Sequence, residues 1–317
     1  MSERTNQLVA VGVLAYNSAT TILETLDSIA EQTYRNIELI VSDDGSQDNT
    51  VEIVSCWIEE HKERFVRTQL LSVENNTGTP ANSNRLIAAA KAEWMKSIAA
   101  DDILLPNCVE DFVEYVNMNP EVRIVYSRYK EFITGEDGKF IITGDKLDDE
   151  INQLFDTDPQ SQLYIYIEKG FNISPAVFKN VEYTKSIGYL EKYRVFEDTP
   201  FYLRVLLGGT KIYYMNKSTV LYRNDGDSVT RERNKEHFYK KTFVDNNLMF
   251  RKDWIFPLYP WYRLDFWVKE YSFRLQYFLT IHVLRNKRSE INNVLYYFFK
   301  ILNPYYVIKY LFDVICK

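Results

Sequence analysis

Short apolar runs alternate with amphipathic segments at the start of this chain of 317 residues. The apolar runs are LVAVGVLA from residue 8, IELIVS from 37, VRTQLLS from 66 and WMKSIAA from 94. The intervening segments 18–32, 50–65 and 82–93 carry apolar residues at helical spacing. Strands that alternate with single helices form βαβ crossovers and a mostly parallel sheet covered on both faces. The sequence therefore predicts an α/β domain.

Three of the predicted strands run directly into polar residues, namely Tyr16-Asn17, Asp43-Asp44 and Asp101-Asp102. Ligands bind beyond the carboxyl ends of the strands in such sheets. Each cluster also has a local explanation, because Asp101 or Asp102 can cap the following helix and Asp44-Gly45-Ser46 is a turn sequence. The recurrence at three strand ends favours a binding site.

The alternation loosens beyond residue 120. Segment 122–132 is strand-like, 134–145 is a hairpin or loop insertion, 145–158 is an acidic helix or loop, 171–180 is a further strand, and 210–230 gives one or two strands. In the segment 196–209, the pair Glu197-Asp198 precedes Thr199, a candidate N-cap, and Pro200, a candidate first helical residue. A helix is therefore predicted to begin beside an acidic pair.

The C-terminal part of the chain differs from the rest in charge. Residues 231–317 hold 16 Lys and Arg against 8 Asp and Glu, a net charge of +8, whereas residues 1–230 hold 22 against 36, a net charge of −14. This tail is rich in aromatic residues and reads as helical, with breaks at Pro257, Pro260 and Pro304. A basic, aromatic tail suits an anionic membrane surface. The alternative is that the tail packs on the acidic body.

Three scattered cysteines, Cys56, Cys108 and Cys316, give no paired spacing. This argues against a disulfide framework or a zinc site and for a reducing compartment. The polar start of the chain has no signal-peptide core, and no run of about 18 apolar residues predicts a membrane-spanning helix. We expect a cytoplasmic protein that can associate with the inner face of the plasma membrane.

Several motifs together resemble family-2 glycosyltransferases of the GT-A (Rossmann-like) fold. They are VLAYNSATTILETLDSIAEQTYRNIELIVSDDGSQDNT, NTGTPANSNRLIAAAKAEW, SIAADDILLPN, FEDTPFYLRVLLGG and LYRNDGDSVT, in the family's order. The resemblance covers residues 8–230 and implies one nucleotide-sugar-binding catalytic domain, 1–230, followed by a helical extension, 231–317. It implies inverting transfer of a sugar from a nucleotide diphosphate donor, a UDP-sugar, to a hydroxyl of a glycan or lipid-linked glycan. Capsule, O-antigen or lipopolysaccharide assembly is the setting that it implies.

The resemblance identifies AADD as the family's metal and ribose motif, with Asp101 on the metal and Asp102 beside it. Mn²⁺ or Mg²⁺ would neutralise the diphosphate, because hard cations take carboxylate oxygens. Two positions depart from the pattern: Ala99 stands where a first acid is usual, and Asp225 stands where a histidine is common. Asp225 is a further candidate for the cation.

The remaining donor contacts are also implied by the resemblance. The strand-end backbone around Ala15, with Tyr16, Asn17 and Asp44, corresponds to the base-binding wall. Tyr16 would stack on a pyrimidine, and Asp44 would accept the hydrogen bond of its ring N–H. Further cofactor-binding candidates are Asn84, Arg85, Arg223 and Ser228. Arg85 has either a diphosphate or a structural contact, while Arg223 and Ser228 are placed at the diphosphate.

Inversion needs a base that takes the proton of the acceptor hydroxyl. The family's acidic pair corresponds to Glu197 and Asp198, with Asp198 as the base. The competing explanation is that Asp198 only begins a helix, where a carboxylate favours the positive end of the dipole. The two roles are compatible, since a helix terminus facing the acceptor would fix the carboxylate.

Two other functions compete with glycosyl transfer. A nucleotidyltransferase would show a glycine-rich, basic phosphate loop, which LAYNSATT lacks. A binding or scaffold protein that has lost catalysis is favoured by Ala99 and Asp225. No nucleic-acid partner is expected, and oligomer formation is left open.

Overall fold

The apolar runs at the start of the sequence form the parallel part of one sheet in the computed structural model. These strands are β1 (Val9–Ala15), β2 (Ile37–Asp43), β3 (Arg67–Ser72) and β4 (Trp94–Ala99), adjacent in the order β3-β2-β1-β4. The helices between them are α1 (Ile22–Ala30), α2 (Thr50–His61) and α3 (Thr79–Ala89). Every residue of β2 is buried, as expected for a strand covered on both faces. The predicted α/β fold is confirmed.

Antiparallel strands extend the sheet beyond β4. They are β5 (Ile103–Leu104), β6 (Ile124–Thr134), β7 (Phe140–Asp145), β8 (Val177–Asn180) and β9 (Tyr213–Arg223). The order continues β4-β8-β6-β9-β5, with β7 on β6, and only the β6–β9 pair of this part is parallel. The helices are α4 (Cys108–Met118), α5 (Pro159–Lys169), α6 (Val181–Ile187) and α7 (Asp198–Leu207). The inserted strand β8 therefore links the parallel part of the sheet to β6 and β9.

Two helix starts suggested by the sequence are wrong in detail. Asn107 precedes α4, so neither Asp101 nor Asp102 caps that helix. Helix α7 begins at Asp198 after Glu197, which places Thr199 and Pro200 inside its first turn. Asp102 instead contacts a distant segment, since its carbonyl oxygen accepts a hydrogen bond from the Thr25 hydroxyl.

The structure describes residues 6–145, 155–169, 174–224, 236–302 and 305. The chain divides into two compact units, Met1–Asp225 and Gly226–Lys317. The predicted boundary at residue 230 lies outside the described residues and stays a prediction, and most of the predicted acidic segment 145–158 lies outside them too.

The second unit contains α8 (Lys241–Phe250), α9 (Leu264–His282) and α10 (Glu290–Ile301). Pro257 and Pro260 fall between α8 and α9, where helix breaks were predicted. Within the residues that the structure describes, no helix is both long and apolar enough to cross a membrane. Helix α10 has no fully buried residue, and its side chains Val294, Phe298 and Ile301 are exposed.

Candidate active site

The carboxyl ends of β1, β2 and β4 lie side by side at one edge of the sheet. Leu14 pairs with Ser42 in β2 and with Ala99 in β4. The N–H of Ala100 donates to the carbonyl oxygen of Leu14 at 3.0 Å, and the N–H of Asp44 donates to that of Ala15 at 2.9 Å. The structure therefore brings the three polar clusters to one place.

Tyr16 and Asn17 follow β1 and differ in what they contact. Asn17 adopts a left-handed backbone with φ of 50°. Its N–H donates to the Ser46 hydroxyl at 2.8 Å, and its side-chain oxygen accepts from the N–H of Gln47 at 2.8 Å. The Tyr16 ring is 47% exposed. Asn17 thus fixes the turn after β2, whereas Tyr16 presents an aromatic surface to solvent.

The two aspartates after β2 have separate roles. Asp43 accepts hydrogen bonds from the N–H groups of Gly45 and Ser46, at 3.1 and 3.0 Å, so the local turn is made by Asp43 and not by Asp44 as the sequence suggested. Asp44 instead accepts from the N–H and hydroxyl of Thr77 and from the N–H of Gly78. Asp44 therefore holds the loop that precedes α3.

Arg85 completes the contacts of Asp44 with an ion pair of 2.6 Å. Burial acts to raise the pKa of Asp44, but the hydrogen bonds from Thr77, Arg85 and Gly78 outweigh it and hold this pKa below its ordinary value. The neighbouring Asn84 exchanges hydrogen bonds with the backbone of Tyr189, at 2.8 and 3.0 Å. Of the two contacts predicted for Arg85, the structure shows the structural one.

Asp102 is buried, with 2% of its surface exposed. Its carboxylate accepts the N–H of Arg223 at 2.9 Å, and its carbonyl oxygen accepts the Thr25 hydroxyl at 2.8 Å. Burial and then the charge of Asp101 raise the pKa of Asp102 well above its ordinary value. Asp101 is only partly buried. Asp102 is thus enclosed by the protein, whereas Asp101 is partly accessible to solvent.

The Arg223 side chain holds this acidic segment in place. Its Nε donates to the carbonyl oxygen of Asp101 at 2.8 Å, while the other guanidinium nitrogens contact Glu24 of α1 and the Thr134 hydroxyl. The guanidinium also lies 4.6 Å from the ring centre of Phe132. The predicted contact of Arg223 with a diphosphate would require it to exchange one of these partners.

A divalent cation fits the chemistry of the two aspartates. Mg²⁺ and similar ions usually bind through one or two carboxylates and complete their shell with water and substrate phosphates. Within the described residues, no group of three or more His, Cys, Asp or Glu side chains could hold a metal by itself. Asp101, partly exposed, and Asp102, buried beside it, are the two carboxylates present at this strand end. Asp225 and Ser228, also predicted at this site, lie outside the described residues.

Glu197 and Asp198 form a second acidic pair at the N-terminus of α7. Both line a small cleft together with Leu14 of β1 and Ser97 of β4. Burial and then the charge of Asp198 raise the pKa of Glu197 to about 8. The helix start and the cleft coincide at Asp198, so the two roles predicted for it are compatible in the structure.

Sequence reasoning missed several side chains that shape the site. Glu24 and Thr134 become partners of Arg223 only through the fold. Lys96 and Lys179 are buried in β4 and β8, with 0% and 5% of their surfaces exposed. A lysine inside an apolar strand is unusual and is a signal that the sequence does contain, because lysines are almost never fully buried without partners.

Comparison with known proteins agrees with this architecture. The family model described as "Glycosyl transferase family 2" matches residues 10–174. One curated relative, 26% identical over 239 residues, is the UDP-Glc:alpha-D-GlcNAc-diphosphoundecaprenol beta-1,3-glucosyltransferase WfaP of Escherichia coli. That alignment covers 73% of this chain and 82% of WfaP.

Two solved structures share the fold. Staphylococcus aureus TarS 1-349 in complex with UDP-GlcNAc has a TM-score of 0.55 and 17% identity, with 84% of this chain and 80% of that chain covered. This chain spans only 37% of a longer TarS chain. Mannosyltransferase PcManGT from Pyrobaculum calidifontis, in complex with GDP-Man and Mn²⁺, has a TM-score of 0.52 and 19% identity over 71% of this chain and 57% of that one. The predicted GT-A fold is confirmed, and the chain belongs to glycosyl transferase family 2.

Proposed function

We propose that this glycosyltransferase inverts the anomeric carbon as it moves a sugar from a UDP-sugar to a hydroxyl of a glycan or lipid-linked glycan. One observation carries the proposal. The pair Glu197-Asp198 lines a cleft with residues of β1 and β4, the strands that are followed by Tyr16 and by Asp101. Direct displacement at a sugar carbon requires a carboxylate base close to the sheet edge that would bind the nucleotide and the cation.

Asp198 is the proposed base. The raised pKa of Glu197, about 8, keeps Glu197 protonated at neutral pH and leaves Asp198 as the carboxylate of the pair. Asp198 would accept the proton of the acceptor hydroxyl while that oxygen attacks the anomeric carbon and the bond to the diphosphate breaks. Because Asp198 opens α7, its backbone is fixed and the positive end of the helix dipole favours its charged form.

Mn²⁺ or Mg²⁺ is proposed at Asp101, with Asp102 beside it. The cation, when bound, neutralises the charge that develops on the leaving diphosphate. The chain's own contribution is to hold Asp101 at the strand end through the Arg223 contact to its carbonyl oxygen. The Mn²⁺ bound with GDP-Man in the PcManGT complex supports this choice of cation.

The donor nucleotide is proposed to be UDP, with the base stacked on Tyr16, whose ring is half exposed. Asp44 already accepts hydrogen bonds from Thr77, Gly78 and Arg85. A base N–H would therefore have to replace one of these donors. The UDP-Glc named as the donor of WfaP and the UDP-GlcNAc in the TarS complex support UDP, whereas the PcManGT complex holds GDP-Man.

A lipid-linked acceptor would bring the protein to a membrane surface, and the second unit has side chains suited to this. Val294, Phe298 and Ile301 of α10 are 69%, 53% and 69% exposed. The net charge of +8 on residues 231–317 favours anionic lipid. The acceptor in the name of WfaP, a diphosphoundecaprenol glycan, supports the same proposal. Phe298→Glu should reduce sedimentation with anionic vesicles, whereas Lys139→Glu in the exposed β6–β7 turn should reduce it much less.

Nucleotide release with each of several UDP-, GDP- and TDP-sugars, with and without Mn²⁺, tests the proposed function. Metal-dependent UDP release from one UDP-sugar, accelerated by a glycan acceptor, is the expected result. Tight UDP binding without release from any donor would instead support the catalytically inactive binding protein that Ala99 suggests.

A further inference from the structure

Two buried lysines sit on adjacent strands of the sheet, in β4 and β8. Met95 pairs with Lys179 and Lys96 with Phe178, so the two lysines face opposite sides of the sheet. Lys96 donates to two backbone carbonyl oxygens, those of Ser97 and Pro175, at 2.7 and 2.8 Å. Lys179 lies on the other face of the sheet, where it lines the cleft together with Glu197 and Asp198.

Lys179 is enclosed by aromatic side chains. Its Nζ donates to the Tyr189 hydroxyl at 2.7 Å and lies 5.4 Å from the centre of the Tyr189 ring. It also lies 5.8 Å from the ring centre of Phe201, which is on α7 three residues after Asp198. Side chains three apart share a helix face. The ammonium group thus lies near the first turn of α7, in the cleft that Glu197 and Asp198 also line.

We propose that Lys179 is a positioning residue that serves as the buried counter-ion of the Glu197-Asp198 pair and keeps Asp198 ionised for proton transfer. The cleft supports this, since Lys179, Glu197 and Asp198 line it together. A buried ammonium group needs a negative partner, and two adjacent carboxyl groups need a cation. The inference deepens the proposed function and rests on it for the catalytic role of Asp198.

The charges around the pair agree with this assignment. Burial lowers the pKa of Lys179 to about 8, against which Asp198 and then Glu197 act to raise it, while Lys96 acts to lower it. At neutral pH the ammonium form therefore predominates. Three tyrosines near Asp198 have pKa values raised by burial and are neutral at that pH: Tyr166, Tyr189 and Tyr202.

The first test is the pH dependence of turnover in the full-length protein. Removing a nearby positive charge raises the pKa of a carboxyl group by about one unit or more. Lys179→Met should therefore move the acid limb of the kcat/KM profile upward by about one pH unit, with KM for the donor little changed. Lys179→Arg should restore the wild-type profile. The control Lys185→Met removes a more exposed lysine that pairs with Glu182 on α6, and should leave the profile unchanged.

The second test does not need activity. Urea unfolding at pH 7 of Lys179→Met, Asp198→Asn and the double variant gives a double-mutant cycle. The inference predicts that the combined change in the unfolding equilibrium constant departs from the product of the single changes by about fivefold or more. Independent sites agree within roughly twofold. Agreement within that range, with an unshifted pH profile, would overturn the inference and leave the proposed function standing.

The two possible failures are distinguishable. If the wild-type protein turns over no donor, the proposed function fails, and the cycle alone decides whether Lys179 is paired with Asp198. If Lys179→Met does not fold, NMR titration of the Lys179 ammonium group replaces both tests. Its midpoint should fall in Asp198→Asn, because a negative partner that favours the ammonium form has been removed. An unchanged midpoint would refute the pairing.

Discussion

Replacing Arg223 by methionine should destabilise the protein and weaken cation binding together. The guanidinium donates to the carbonyl oxygen of Asp101 at 2.8 Å and also contacts Glu24 and Thr134. The Arg223 side chain is only 7% exposed, so water cannot replace these bonds while the fold stays intact. Methionine keeps an apolar side chain beside Phe132 but removes every hydrogen-bond donor of the guanidinium group.

The magnitude follows from these contacts. Hydrogen bonds to charged groups contribute about 1.5–3 kcal/mol each, which would give roughly 5–9 kcal/mol for three. Glu24 is 39% exposed in the folded protein and can regain water, so most of its share is recovered. The expected loss from the other two bonds is about 3–6 kcal/mol of unfolding free energy. Side chains that orient metal ligands typically alter metal affinity by about 10–100-fold, and we expect a weakening of Mn²⁺ binding in that range.

Urea unfolding followed by circular dichroism and calorimetric titration with Mn²⁺ in the presence of UDP measure both quantities. The matched control is Arg194→Met, because Arg194 is exposed and donates to the carbonyl oxygen of Asn76 at 2.7 Å. The control should change stability by less than about 0.5 kcal/mol. A loss below about 1 kcal/mol in Arg223→Met, with unchanged Mn²⁺ affinity, would refute the positioning of Asp101 by Arg223.

Three further changes test other parts of the site. Asp198→Asn should lower turnover by about 10²–10⁴-fold while calorimetry shows UDP binding within about twofold of wild type; undiminished turnover would remove Asp198 as the base. Gly78→Ala should cost about 2–4 kcal/mol in urea unfolding, since φ is +98° and a Cβ would lie 2.5 Å from the carbonyl oxygen of Arg194. Its control is Gly138→Ala, with φ of +76° and open space, which should cost about 1 kcal/mol; equal losses would contradict the steric argument. Because the pKa of Asp44 is lowered in the fold, its contribution to stability is present above about pH 4, the unfolded value, and is lost as pH falls through the folded value. Unfolding free energies of wild type and Asp44→Asn should therefore converge in acid, and a constant difference would show that the Asp44 charge does not stabilise the fold.

The sheet and its helices were predictable because hydrophobic periodicity is local. Strand β2 was expected from residue 37 and is buried throughout, and the three strand-end clusters meet as expected for parallel strands. Helix ends were less predictable because distant groups decide them. Helix α3 was expected to run to residue 93 but ends at Ala89. The N–H groups of Lys91 and Ala92 both donate to the buried carboxylate of Glu38 at 2.7 Å.

The candidate site was predictable in outline but not in its contacts. The acidic pairs could be found from their place after strands and before a helix. Their environments could not, because Arg223 contacts Asp102 across 121 positions of sequence and Lys179 of β8 lines the same cleft as the second pair. A charged side chain is unfavourable in a buried apolar segment, and only partners from other parts of the fold compensate for it. The environments of Asp102, Lys96 and Lys179 were therefore the least predictable from the local sequence.

The configuration of the product tests the central proposal most directly. The wild-type protein is incubated with Mn²⁺, an α-linked UDP-sugar that it accepts and a glycan acceptor, and the new linkage is assigned by NMR. Attack by a hydroxyl that Asp198 deprotonates predicts a β-linked product, and Asp198→Asn should form almost none of it. An α-linked product, or a β-linked product formed equally well by Asp198→Asn, would contradict inversion with Asp198 as the base.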